Sequence, residues 1–255
     1  FEGEVILEPV RVEHANLPAW LGKHIQPTDY VVIESTTNAW YVYDLLEPLA
    51  EKVLVANPIK VKQIAQARVK TDIRDTLILA RMLAANMIPA IWVPPVHVRS
   101  LRYLLSQRRR LMGMHTQVVN RMHSVAHRHH LSHPKGKRFN EKNTVWQQDD
   151  ELSDEEKFQL DLDMNTEKHL SEQAGKITKK LAKMSHEKPW AENMMYLMQL
   201  PGFGVVTGMT ILAAIGDITR FEDFKKLSSY SGLTPGVEQS GVKNRGKKIT
   251  KEGRK

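Results

Sequence analysis

Three carboxylates and one hydroxyl stand where phosphate chemistry is possible. Asp72 and Asp75 fall three residues apart at the start of a helical pattern, a spacing that projects both from one helix face. Glu34 closes the segment YVVIE, the C-terminal end of an expected strand, where α/β sheets carry functional groups. Hard oxygen donors of this kind suit Mg²⁺, and two ions about 4 Å apart clamp the attacking and leaving oxygens of a phosphodiester. The same spacing also fits a helix N-cap at Asp72, an Asp75–arginine pair and a surface acid at Glu34. The hydroxyl is Ser240, within PGVEQSGVKNRGKK (residues 235–248), which has no apolar period and reads as an irregular loop. It is either part of a solvated tail or a nucleophile beside Lys243, Arg245, Lys247 and Lys248. Those cations would neutralise phosphate oxygens as charge builds, and Gly236 and Gly241 would allow close approach to a backbone.

Charge placement supports a polyanionic partner. The chain has 255 residues and a net charge of +8. From Thr76 to Asn140 there is no Asp or Glu, yet the interval carries Arg99, Arg102, Arg108, Arg109, Arg110, Arg121 and Arg128. The sign then reverses in DDELSDEEKFQLDLD (149–163) and turns basic again from Lys243. A solvated helix mixes signs, so a long acid-free run points to phosphate contact. The absence of cysteine excludes disulfides and thiolate zinc sites, and no apolar run reaches the roughly 20 residues of a membrane span. We read the chain as an intracellular fragment with both ends cut, since it opens on FEGEVILEPV and stops on TKEGRK.

The elements that must carry these residues divide into three parts. Residues 1–95 alternate: EVILEPV, YVVIES, KVLVAN and AIWVPP read as strands, NAWYVYDLLEPLAEK and TDIRDTLILARMLAA as helices, which gives an α/β sheet. Residues 96–189 form a long basic helical arm. One seam holds Leu101, Leu105, Met112, Val119, Met122 and Ala126, interrupted by Arg108 and His115, and a second holds Leu170, Ala174, Ile177, Leu181 and Met184. Two seams joined by HPKGKRFNEKN suggest a helical hairpin or coiled coil. Residues 190–255 carry YLMQLPGFGVVTGMTILAAIGD, a helix-hairpin-helix pattern. Gly202 and Gly204 permit a tight turn that frees amides for a phosphate oxygen, and Met194, Met195 and Met198 read as core filler. His123, His127, His129, His130 and His133 suit phosphate or base contacts better than zinc, because no carboxylate or thiol lies nearby in sequence.

Together these motifs resemble the insertion-sequence-110 transposases, the bridge-RNA-guided DEDD recombinases. The resemblance rests on VIEST with Glu34, KTDIRD with Lys70, Asp72 and Asp75, and the arm LRYLLSQRRRLMGMHTQVVNR. It continues in LMQLPGFGVVTGMTILAAIGD, FEDFKKLSSYSGLTP and EQSGVKNRGKKITKEGRK, so it covers nearly the whole chain in order. It implies a RuvC-like (RNase H fold) domain with four Mg²⁺-binding acids, a coiled coil, and a C-terminal transposase domain with a catalytic serine. Glu34, Asp72 and Asp75 match the second, third and fourth acids, and Ser240 matches the serine. No residue matches the first Asp: Glu2, Glu4, Asp29 and Asp44 lie elsewhere, as if the chain began after that strand.

The resemblance further implies a homo-oligomer, dimers assembling to a tetramer on a structured bridge RNA whose loops pair with target and donor DNA. Its setting would be a bacterial or archaeal cytoplasm, at the nucleoid. Three functions fit the sequence: an RNA-guided recombinase with a phosphoserine intermediate, a RuvC-like junction nuclease using metal-activated water, and a noncatalytic nucleic-acid-binding protein.

Overall fold

The computed structural model describes residues 6–8, 10–65, 72–130, 152–240 and 243–249. They fall into two compact units, residues 1–93 and 94–255.

In the first unit, β1 (Tyr30–Glu34) and β2 (Lys52–Ala56) pair in parallel, with Tyr30 opposite Lys52 and Glu34 opposite Ala56. Parallel neighbours need a crossover, and α2 (Ala39–Leu46) supplies it, packing on both strands through the buried Ala39 and Leu46. Before β1 comes α1 (Leu17–His24), opened by Pro18; after β2 come α3 (Pro58–Ala65) and α4 (Asp72–Ala84), and α4 packs on β1. The YVVIES and KVLVAN strands and both helices of the sequence reading are present. Two other expected strands are not found among the described residues. Residues 6–8 and 10 lie outside any strand, with Ile6 96% exposed. AIWVPP forms an isolated bridge in place of a strand, Ala90 with Ala56, flanked by bonds from Ile91 N–H to Val55 O at 2.7 Å and from Asn57 N–H to Pro89 O at 3.0 Å. Pro89, Pro94 and Pro95 lack the N–H groups that a ladder requires. Both α1 and α3 escaped the sequence reading; each is an eight-residue helix with a proline in its first turn, Pro18 and Pro58.

The second unit is built on α5 (Val96–Arg128) and α6 (Asp154–Ser185). They run antiparallel. Arg128 and His129 meet Glu156, Arg121 meets Asp163, His115 meets Glu167 and Arg108 meets Thr178, so α6 positions rise as α5 positions fall. The sequence seams hold in part. Leu101, Leu105, Met122 and Ala126 are buried, and so are Val118 and Val125, which the seam did not include, while Met112 and Val119 are half-buried. A 3.6-residue helix drifts against a seven-residue repeat, which accounts for the shift. On α6, Leu170, Ala174 and Leu181 are buried while Ile177 and Met184 are half-buried. The linker HPKGKRFNEKN lies outside the described residues.

The sign reversal at residue 149 acquires a local cause here. Asp154, Glu155 and Glu156 occupy the first turn of α6, favourable to its dipole, and Ser153 with Glu156 forms a reciprocal capping box. His129 and the Ser153 amide, in that order, hold the Glu156 carboxyl below its ordinary value. A depressed carboxylate adds stability above its unfolded pKa, and that stability is lost as pH falls through the folded value. Thermal unfolding across pH 7 to 3 should therefore show Glu156→Gln below wild type at neutral pH and level with it at the acid end. A constant difference at every pH would overturn this assignment.

The remaining helices, α7 (Ala191–Leu197), α8 (Val205–Ile215) and α9 (Phe224–Tyr230), precede β3 (Pro235–Ser240) and β4 (Lys243–Ile249). The helix α8 packs on α5, α6 and α7, burying Met209 and Ala213, so the second and third sequence segments share one unit. Arg220 stacks over Phe221 and Tyr230, 4.2 and 4.4 Å from the ring centroids, and its Nε donates to Ile215 O at 3.0 Å. These contacts tie α9 to the end of α8. Of the three methionines, Met194 is buried as expected, but Met195 and Met198 are 61% and 47% exposed and fill no core.

Candidate active site and nucleic-acid interface

Glu34 and Asp75 reach the same cavity. It measures ≈670 Å³ and is walled by all five residues of β1, by Ala39 and Val42 of α2, and by Asp75, Thr76 and Leu79 of α4. A strand lends alternate residues to opposite faces, so a cavity touching five in a row runs along the strand's edge. Among the described residues β1 pairs only with β2, and this cavity follows its other edge. Glu34 is exposed at the strand's C-terminal end and Asp75 half-buried in the first turns of α4. Asp72 opens α4 one turn earlier; its side chain lies outside the described set.

Asp29 also lines this cavity and accepts the Gln26 N–H at 2.9 Å. It precedes β1, five residues from Glu34, about 16 Å away along an extended chain, too far to share an ion with it. Carboxylate oxygens at the Glu34 end fit Mg²⁺ by donor type. Among the described residues no three His, Asp or Glu side chains gather as a metal site.

Ser240 sits in regular structure. The sequence reading made residues 235–248 a loop, but β3 and β4 form an antiparallel hairpin with Ser240 opposite Lys243, Gln239 opposite Asn244 and Glu238 opposite Arg245. Only Gly241 and Val242 separate the two strands in sequence. A Gly-X pair between short segments is a two-residue hairpin signal, and it was the cue available beforehand. Opposed residues share a face, and alternate residues along a strand share it again. The register therefore sets Ser240 and Glu238 against the basic positions Lys243 and Arg245 of the neighbouring strand.

The segment YLMQLPGFGVVTGMTILAAIGD contains the end of α7, a turn with Gly202 at φ +80°, and α8. That φ is one a side chain with Cβ rarely adopts. Gly204 caps α8 without a side-chain acceptor, so the first-turn amides of α8 have none from the cap. Gly208 brings the helices close: a Cβ there would stand 2.7 Å from Met194 Sδ.

The arginines divide by partner. Arg121 grips the buried Asp163 through Nε and a second guanidinium nitrogen at 2.8 and 2.5 Å, and this bonding raises its pKa. Arg128 stands 3.6 Å from Glu156, and Arg108 donates to Thr178 Oγ1 at 2.9 Å. Arg102 donates to Ala213 O and Ala214 O at 2.7 and 3.2 Å. Arg99 is half-buried in the first turn of α5, while Arg109 and Arg110 are exposed. Some of the acid-free run thus answers carboxylates and carbonyls within the protein. His129 likewise finds Glu156, a carboxylate that sequence proximity did not reveal.

A family profile described as Transposase, of the DEDD IS110 type, matches residues 2–131. A second, described as Transposase IS116/IS110/IS902 family, matches residues 194–255. The chain belongs to the IS110 family of transposases. This IS110-family chain is 26% identical over 229 residues to y4qE of Sinorhizobium fredii, which carries a transposase name, covering 88% of this chain and 54% of that protein. It is 27% identical over 240 residues to the pilin gene-inverting protein of Moraxella bovis, covering 89% and 63%. It is also 23% identical over 216 residues to the transposase for insertion sequence element IS1111A of Coxiella burnetii, covering 84% and 58%. The chain thus spans somewhat over half the length of the curated relatives it matches. No described helix of this IS110-family chain is long and apolar enough to cross a membrane.

Proposed function

We propose that this chain is part of an RNA-guided DNA recombinase of a mobile insertion sequence, cutting and rejoining DNA through a phosphoserine at Ser240. The observation that carries the reading is the meeting of Glu34, from a strand end, and Asp75, from a helix start, at one cavity. The acids are far apart in sequence and of different elements, as a RuvC-like domain requires. Family membership and relatives named for transposition and gene inversion agree with it. Glu34, Asp72 and Asp75 would hold Mg²⁺, which when bound supplies positive charge to a phosphate oxygen.

The chain's own residues do the rest. The Ser240 oxygen attacks the scissile phosphorus: the Oγ–P bond forms, the bond from phosphorus to the departing sugar oxygen breaks, and a proton passes net from the hydroxyl to that oxygen. The phosphodiester bond is conserved in the serine ester, so a hydroxyl of another DNA end reverses the step and joins the strands. Lys243 stands opposite Ser240 in the ladder and Arg245 two positions further along the same strand, which suits them to neutralise the nonbridging oxygens, with Lys247 and Lys248 adding to the local field. Acids and serine from different copies complete each site in a dimer or tetramer. Gly202, Gly204 and the exposed Arg109 and Arg110 of α5 hold backbone phosphates of the guide RNA and the two DNAs.

Sequencing the RNA that copurifies with the protein tests the guidance. One discrete structured species, with loops complementary to the DNAs that are joined, is the expected result. Its absence, or a random sample of cellular RNA, would remove guidance from the account.

A further inference from the structure

The sequence RRR at 108–110 looks like one basic patch, but successive helical residues point about 100° apart and the structure sends the three in different directions. Arg108 bonds Thr178 on α6, and Arg110 bonds Gln107 on its own helix. Arg109 lines a cavity of ≈290 Å³ at the crossing of α5 and α8, together with Arg102, Leu105, Ser106, Thr210, Ala213 and Ala214.

We propose that this cavity is a seat for one phosphodiester group of a nucleic-acid backbone, bound by the Arg109 guanidinium and the Ser106 hydroxyl. This rests on the reading of the chain as a nucleic-acid-binding protein and adds a defined contact point to it. Four observations carry the assignment. No carboxylate lines the cavity, and neither α5 nor α8 contains one. Arg102, Ser106 and Arg109 follow at i, i+4 and i+7, a single stripe on α5. Arg102 is fixed by the Ala213 and Ala214 carbonyls at 2.7 and 3.2 Å, so its charge covers the negative end of α8 that would otherwise repel an anion. Thr210 gives its proton to Val206 O at 2.6 Å and serves only as wall, which leaves Ser106 and Arg109, both exposed, as the donors.

A guanidinium fork with a hydroxyl beside it matches the nonbridging oxygens of a phosphodiester. Nothing in the lining reads a base edge, so the contact is independent of sequence. Leu105, Ala213 and Ala214 give the seat an apolar floor that keeps bulk water from one side of the ion pair.

The test compares Arg109→Gln, Ser106→Ala and Arg110→Gln, measuring affinity from 50 to 300 mM salt for two probes, a structured RNA hairpin and a DNA duplex. Arg102 is left intact because it caps α8, and the three variants alter exposed residues. Arg109→Gln should weaken binding about five- to tenfold and lower the log–log salt slope by about 0.7 to 0.9. Ser106→Ala should weaken it roughly two- to fourfold with no change of slope, since no charge is lost. Arg110→Gln should do less than either. The probe more affected identifies the strand that occupies the seat. Equal effects of Arg109→Gln and Arg110→Gln, with Ser106→Ala silent, would show a diffuse basic surface and overturn the seat while leaving nucleic-acid binding intact. Failure of the wild type to bind either probe would overturn both.

Discussion

Ser240→Ala should abolish strand exchange, with the rate falling by roughly a thousandfold or more, while nucleic-acid affinity changes less than about threefold. The separation follows from how little else the substitution touches. Ser240 closes β3 and pairs across the ladder with Lys243, so the backbone bonds of the hairpin survive the loss of one oxygen. The cations that govern affinity, on the hairpin and on α5, are unchanged. Ser240→Cys gives a second reading, because a thiol keeps a nucleophile at the same register position and should retain a slow first step. Recombinants from the Ala variant at near wild-type rate would mean that another group attacks the phosphorus.

The second large effect is expected at Asp75. Asp75→Asn preserves shape but removes a hard anionic oxygen from the cavity it shares with Glu34. Mg²⁺-dependent chemistry should fall by about a hundredfold or more, and Mn²⁺ binding, followed by electron paramagnetic resonance, should weaken in parallel. Loss of one favourable charge near the start of α4 costs only about 0.3–1 kcal/mol, so the fold persists. Asp29→Asn is the control. Asp29 lines the same cavity at the other end of β1 and should leave metal affinity within about twofold. Equal losses at Asp29 and Asp75 would show that general negative charge, and not a site at Glu34 and Asp75, attracts the ion.

Where side-chain period or residue type dictates the outcome, the sequence told much of this structure. The β-branched YVVIE and KVLVA segments became paired strands, and the four-and-three spacing of Leu101, Leu105, Met122 and Ala126 became a buried helix face. Partners distant in sequence were illegible. Arg121 cannot announce Asp163, nor His129 Glu156, because a helical hairpin brings them together only when α6 folds back on α5. For the same reason an acid-free run read as a phosphate-binding surface is partly an internal ion-pair face.

The hairpin at Ser240 was hidden for a different reason. Its strands carry few apolar residues, so no two-residue period is visible, and the Gly241–Val242 turn signal is short. At the acids the spacing of Asp72 and Asp75 suggested a site, but only the packing of α4 on β1 brought Asp75 to the cavity of Glu34. The consecutive arginines 108–110 show the limit from the other side: one motif in sequence, three environments in the fold.

Mass spectrometry of the protein quenched during strand exchange tests the central claim most directly. Trypsin releases residues 227–243, a peptide carrying Ser228, Ser229 and Ser231 as well as Ser240. After nuclease trimming, the account predicts that this peptide gains a nucleotide ester, that fragmentation places it on Ser240, and that Ser240→Ala removes it. Cleaved DNA with both new ends free, and residues 227–243 unmodified throughout the reaction, would contradict the serine intermediate and leave water as the nucleophile.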